Sequence, residues 1–422
     1  MVACLLCKKA IKPGLINRFG GYSFFLLLVA LLLACFYRLW KVGFCDQKKE
    51  QVRIGGIVWD EPKVYYSTQQ FWVDGYLIET SAEDKIAIGD WVLLAGKLEC
   101  QPREKLQNQK RCIISYPEIS VVKNYFGAGL IRLIFQARKS FIASLERVLP
   151  SEPASLLTGI VWGNQGQFSK RFYEDMKISG LLHVVVASGA NVLTLVNLFK
   201  KVGRFFGRRL LILGTLPVII AYGFIVGNDP PIVRAVLVSG IVLISQLLGR
   251  QVRPLRSLFL VGVMMIIVAP RLGFDISFQL SFGASLGILL FSNSFKKVFH
   301  WSDLATTLAA QTITTPVLAL HFGEISPLSF LSNAFLLWLI EPLMIWGLGL
   351  TFFSLVCRPL ANLIGAVFWF PLQVFISGSH FWARLLPQVT ISEGLALGSF
   401  AVVFVFWLWV RKVNRFSLEQ AA

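Results

Sequence analysis

Long apolar runs, broken by short polar connections, fill most of the chain. A bilayer-crossing helix needs roughly 17–25 residues. Runs of that order lie near 22–40, 178–199, 210–227, 232–249, 257–270, 276–292, 303–321, 327–355, 361–383 and 393–410. The run at 257–270 is short and ends at Pro270, so a tilted, broken or partly inserted helix is expected there. The run at 327–355 is too long for one straight helix. With Pro342 near its middle, it reads as either a kinked span or a re-entrant pair.

One segment has a different rhythm. Within 50–122, apolar and polar residues alternate over 52–59, 70–79, 91–99 and 111–120. Turn clusters separate them at Asp60-Glu61-Pro62 and Ala87-Ile88-Gly89-Asp90. Four or five short strands in so little chain predict a small β-barrel, and Gly89 to Leu98 reads as an OB-fold strand. After it, Leu130, Ile134, Phe141, Leu145 and Val148 recur at helical spacing across 124–149, which predicts an amphipathic helix lying in the membrane interface. The expected organisation is therefore an anchor with the first span (1–45), an OB-fold-like domain (50–122), the interfacial helix (124–149), a transmembrane domain (150–412) and a tail (413–422). The fold class is a polytopic α-helical membrane protein of about ten spans carrying an extracytoplasmic OB-fold-like β-barrel.

Composition agrees with that class. Hydrophobic residues make up 55% of the chain, charged residues 15%, and the mean hydropathy is +0.65. Soluble proteins carry about 25% charged residues, so a soluble enzyme, a disordered tail protein and a disulfide-rich secreted module are excluded. The net charge of +18 is informative through its distribution. Alternate loops carry Lys200, Lys201, Arg204, Arg208 and Arg209; Arg250, Arg253 and Arg256; Lys296 and Lys297; Arg358; and Arg411, Lys412 and Arg415. The intervening loops hold Arg271 and Arg384. Fourteen against two places the first set in the cytoplasm. Both termini are then cytoplasmic and the 50–122 segment lies outside. The first run has a basic start but no small-residue cleavage site after it, so it is expected to be a retained anchor.

The β-segment is not basic: residues 51–122 contain eight Lys or Arg and ten Asp or Glu. It lacks the positive groove that phosphate binding favours; its aromatics have the faces to stack on bases, but most are expected in the core. Cys100 and Cys112 both fall in it, on the oxidising side, and are candidates for a disulfide worth about 3 kcal/mol. Cys4 and Cys7 form a CxxC without a second pair, and Cys35 and Cys357 read as buried small apolar residues.

Polar residues at bilayer depth are costly and mark function more often than chance. Three clusters meet that description: His183, Ser188 and Asn191, at roughly helical intervals; Arg234, just inside a span; and Asp275 to Gly283 with Gln311 to Pro316 and His321 to Pro327. Ser277, Gln279 and Ser281 are spaced by two and would share a lining role only if the helix were unwound near Asp275. A bland alternative applies to any single Ser or Thr, hydrogen bonding between packed helices at about 0.6 kcal/mol each. No nucleophile–base–acid set, metal-ligand motif or P-loop occurs, so no metal and no cofactor is expected. The residues alone define a polar-lined membrane conduit with an external β-domain.

The run Leu156-Leu157-Thr158-Gly159, then Gly163, Phe172, Gly180, His183 and Ser188-Gly189, resembles the ComEC family of competence proteins. Arg234-Ala235, Phe278 to Phe282, Gly287, Gln311, Thr315-Pro316, Phe322-Gly323, Ser326 and Asn333 continue the resemblance in order. It implies a bacterial inner-membrane channel passing single-stranded DNA into the cytoplasm during natural transformation, with no enzymatic activity of its own. It also implies His183, Ser188, Gly189, Arg234, Gln279, Ser281, Gln311 and Pro316 as channel residues, and Asn191 joins them as a candidate from its own polar cluster. The implied partners are single-stranded DNA, an extracytoplasmic DNA receptor and a separate cytoplasmic ATPase or motor, alongside the lipid bilayer. Two departures are visible: Asn191 stands where the family carries a second histidine, and Asn164-Gln165 stand where an acidic–basic pair is common. The family's frequent C-terminal metallo-β-lactamase-like domain has no HxHxDH counterpart here. The alternative reading is a membrane enzyme acting on a lipid-linked substrate through His183, Arg234 and Glu324. A small-solute permease is a third, without the inverted repeat such folds carry.

Overall fold

The computed structural model describes most of residues 51–403. Residues 1–50 and 404–422, short internal stretches such as 123–127, 165–167, 186–187 and 391–394, and the side chains of 98–113 are outside that description. The expected span 22–40 and most of 393–410 lie there too, as do both terminal segments.

Seven strands make the N-terminal unit: β1 (Gln51–Ile57), β2 (Lys63–Tyr65), β3 (Thr68–Val73), β4 (Tyr76–Ser81), β5 (Trp91–Arg103), β6 (Leu106–Ser115) and β7 (Glu118–Val122). They form one sheet in the order β1-β5-β6-β4-β3-β2, with β7 also on β5. The long β5 holds β1 and β7 along its first half and β6 along its second. Among the described residues β1 and β2 end the hydrogen-bonded path, so the sheet is open where a closed barrel was expected. Ile54, Phe71, Ile78, Val92, Leu94 and Ile114 form its core.

The expected strand at 70–79 is instead the β3–β4 hairpin. The expected strand at 111–120 is divided between β6 and β7. Tyr116 adopts φ 47° there and Pro117 follows, which interrupts the ladder.

Helix α1 (Ala128–Glu146) covers most of the expected interfacial helix. Leu130 and Leu133 are exposed on it, while Leu145 is fully buried against the helical core. Arg132 of α1 pairs with the almost fully buried Asp90 at 2.6 Å, tying the sheet to the helices.

The helical unit continues with α2 (Ser151–Trp162), α3 (Lys170–Ile178), α4 (Leu182–Val185), α5 (Gly189–Val202), α6 (Arg208–Val226), α7 (Pro230–Leu247), α8 (Pro254–Val268), α9 (Ile276–Val298), α10 (Ser302–Phe322), α11 (Ser329–Leu336), α12 (Ile340–Val356) and α13 (Arg358–Leu385). Five stretches among the described residues are long and apolar enough to cross a membrane: Arg209–Val226, Pro230–Leu247, Ile276–Val298, Ser329–Val356 and Arg358–Leu385. The large core joins α1, α2, α3, α5, α6, α7, α11, α12 and α13. A smaller one joins α7, α8 and α9.

Three expected spans take a different form. The run 178–199 is not one helix: α3 ends at Ile178, Gly180 turns with φ 74°, and α4 is a single turn before α5 begins at Gly189. The run 257–270 is the 15-residue α8, followed by a 3-10 turn over Pro270–Phe274, as the proline suggested. The run 327–355 is α11 and α12 joined by a 3-10 turn, Leu337–Leu339. Pro342 causes it, because it has no N–H to offer the carbonyl four residues earlier. The two-residue strands β8 (Glu324–Ile325) and β9 (Val389–Thr390) pair with each other, so α10 and α13 end at the same face.

Candidate functional site

Pro230 and Pro231 open α7, their missing N–H groups costing nothing in a first helical turn. One turn later Arg234 projects towards α9. Its guanidinium donates to the Ser281 carbonyl and to the Ser285 hydroxyl. Its Cζ lies 5.8 Å from the centre of the Phe282 ring. On the opposite side sits Gly189, the first residue of α5. A Cβ there would come within 2.7 Å of Arg234 Nη2 and 3.3 Å of the Pro231 carbonyl. The absence of a side chain at 189 is what lets α5 close on the arginine. The Ser281 hydroxyl is itself buried with no hydrogen-bond partner among the described residues.

Two further polar groups flank α9 and α10. Asp275 caps α9 by accepting from the Phe278 N–H at 2.9 Å, so the helix is regular from Ile276 onward. The unwound stretch lies before Asp275, and residues 277, 279 and 281 do spread around the helix: Ser277 is exposed, Ser281 buried. Gln279 donates to the Gly273 carbonyl at 3.0 Å and meets His321 Nε2 at 2.9 Å. One helix away, Gln311 donates to the Ser329 hydroxyl at 3.0 Å. Ser329 packs on Gly180, where a Cβ would approach within 2.6 Å of its Cβ. Ser332, a turn later, donates to the carbonyls of Ser179 and Ser329. The buried Asn333 oxygen has no partner among the described residues. Amides and hydroxyls thus follow one another from α9 through α10 and α11 to the turn after α3.

Asn191 belongs elsewhere. It is 1% exposed, donates to the Ile160 carbonyl at 2.7 Å and accepts from Ser188 at 3.3 Å. Tyr222 donates to the neighbouring Val161 carbonyl at 2.9 Å. These bonds satisfy the end of α2, as interhelical packing requires. Ser188 and Asn191 therefore touch each other but not the seam, and His183 is exposed on α4, joined to neither group in the described contacts. Pro316 is buried inside α10. Cys100 and Cys112 stand directly opposite in the β5–β6 register, whereas Cys357, expected to be buried, is exposed at the junction of α12 and α13.

The sequence reading missed Ser285, Ser329 and Ser332. Ser285 follows Ser281 by four residues and Ser332 follows Ser329 by three, the spacing that puts two side chains on one helix face. That repeat was the available signal.

A broken-helix bundle with several membrane-length apolar helices, and with amides, hydroxyls and one arginine between them, defines a polytopic membrane protein with a polar interior. The model of the competence protein family matches residues 160–414, more than half of the chain, and the chain belongs to that family. An uncharacterised protein of Aquifex aeolicus (strain VF5) is 33% identical over 224 residues, covering 52% of each chain. ComE operon protein 3 of Bacillus subtilis (strain 168) is 27% identical over 207 residues, covering 47% of this chain and 26% of that protein. The matches thus span about half and about a quarter of those two relatives. No solved structure matches the chain.

Proposed function

We propose that this chain takes part in competence DNA uptake, as a channel that passes single-stranded DNA into the cytoplasm, and that it performs no bond-breaking chemistry. The observation that carries this reading is the seam Arg234–Ser281–Ser285, Gln279–His321 and Gln311–Ser329, at the meeting of α5, α7, α9, α10 and α11. A polyanion crossing a bilayer needs groups that replace water without trapping phosphate. Neutral amides and hydroxyls do this, while a dense row of cations would hold the strand too tightly to move. Family membership and the likeness to ComE operon protein 3 support the same direction.

On this reading the protein sits in the bacterial inner membrane with both termini cytoplasmic. The β-sheet unit lies outside as an OB-like domain. An extracytoplasmic receptor delivers DNA, and a separate cytoplasmic ATPase or motor supplies the energy.

The test is fluorescent DNA uptake in cells lacking the chain, complemented with Arg234→Ala or Gln279→Ala. DNA should accumulate at the surface without reaching the cytoplasm, and neither variant should restore passage at normal membrane levels. Normal uptake without the chain overturns the proposal and moves the lipid-enzyme reading forward. His183→Gln separates the two readings further. A channel keeps most of its function, whereas an enzyme using His183 as acid or base loses about 10²–10⁴-fold in rate.

A further inference from the structure

A second polar cluster lies outside the seam, over the last two turns of α13. An open cavity of about 460 Å³ is lined there by Glu152, Arg171, Ser377, His380, Phe381 and Arg384. Its size suits a nucleotide-sized group. Arg171 enters from the first turn of α3 and Arg384 from the last turn of α13, both exposed. Neither has an ion-pair partner among the described residues.

Between them His380 is fixed, its Nδ1 2.5 Å from Asp175 and its ring 5.9 Å from that of Phe172. Ser169 lies 3.5 Å from the Glu152 carboxylate. Among the lining residues two arginines face one carboxylate, Glu152, while Asp175 lies behind on His380. Phe381 is 59% exposed, an aromatic face left open beside the cations.

The position of the cavity adds meaning to its chemistry. The β8–β9 pairing sets the end of α13 at the face where α10 ends, and His321 of the seam is in the last turn of α10. From Arg171, the rest of α3 leads over roughly 12 Å to Ser179, whose carbonyl accepts from Ser332. The cavity is therefore joined to the seam by one helix.

We infer that this cavity is a docking subsite for single-stranded DNA at the mouth of the seam, with Arg171 and Arg384 on successive phosphates and Phe381 stacked against a base. The inference rests on the conduit reading above and extends it to a place that reading does not include. Cations beside an open aromatic face suit single-stranded nucleic acid, where bases stack and phosphates pair. A lipid headgroup would need the cations alone and no path into the interior.

The test uses the full chain in phosphatidylcholine nanodiscs and a fluorescent oligothymidylate, with anisotropy read across a salt series. Arg171→Gln with Arg384→Gln should weaken binding about tenfold near 0.15 M salt. The magnitude of the log–log salt slope should fall by about 1.4, at about 0.7 for each lost phosphate contact. Phe381→Ala should weaken binding by about fivefold or more, and Phe381→Tyr should not. The doubly Lys-substituted protein should recover most of the affinity, which separates lost charge from misfolding.

Unchanged affinity and slope in the Gln variant overturn the subsite and leave the conduit reading standing. No DNA binding by the unaltered protein overturns both. If the Gln variant instead loses only its stabilisation by anionic phospholipid vesicles, the cavity is a headgroup site and the inference fails.

Discussion

Gly189→Ala is the most informative small change in the molecule. The new methyl would stand 2.7 Å from Arg234 Nη2, and ordinary contact begins near 3.4 Å, so the two must separate by about 0.7 Å. Room for that is scarce. The guanidinium is already held by the Ser281 carbonyl and the Ser285 hydroxyl on its far side. The methyl is also confined by Ala235 Cβ at 3.2 Å and the Pro231 carbonyl at 3.3 Å. Overpacking of this kind costs about 1–3 kcal/mol. Most of it should vanish in an Arg234→Ala background, where the closest obstacle is gone.

A double-mutant cycle on unfolding in mixed micelles reads the coupling directly. The expected interaction is about 1–2 kcal/mol, of the size found for groups in direct contact. Additivity within about 0.5 kcal/mol would refute the claim that Gly189 exists to seat the arginine.

Other outcomes follow from the same contacts. Gly180→Ala should destabilise by more than about 1 kcal/mol, because φ is 74° and its Cβ would strike Ser329, whereas Gln311→Leu should cost about 0.6 kcal/mol; thermal unfolding ranks them. Asp90→Asn should loosen α1 from the sheet by about 1–2 kcal/mol, since Arg132 is left facing a neutral amide, and faster hydrogen exchange in α1 checks it. Cys100 and Cys112, paired in the backbone register, should form a disulfide seen as a mobility shift on reduction, and its loss should cost about 3 kcal/mol. A free thiol pair in protein isolated from the membrane would contradict that.

How much of this was legible in the chain depended on how local the cause was. Apolar runs placed α6, α7, α9 and α13 within a few residues, because length and hydrophobicity suffice for a membrane helix. The kink before α12 was visible as Pro342. The break between α3 and α5 was hidden inside an apolar run, since it depends on Gly180 fitting against Ser329, a residue far away in sequence. The β3–β4 hairpin was read as one strand although Asp74-Gly75 between two apolar runs is itself a hairpin signal.

Arg234 could be picked out by residue type and depth, but its partners Ser281 and Ser285 depend on how α7 packs on α9. Asn191 was grouped with the seam from its spacing to Ser188 and His183. Its hydrogen bond to the Ile160 carbonyl assigns it to packing instead. The docking cavity was invisible for the same reason: Glu152, Arg171 and Arg384 come from three separate elements.

The central claim is that a DNA strand runs along the polar seam, and photocrosslinking tests it most directly. A photoreactive amino acid would replace Ser329 in the seam, or Leu213, exposed at 56% on the outer face of α6, as the comparison. Cells would then take up a labelled DNA with a bulky end that stalls it in transit. A DNA adduct at 329 and none at 213 is the predicted result. Stalled DNA in the same cells with no adduct at 329, or equal adducts at both positions, would contradict a strand running through the seam.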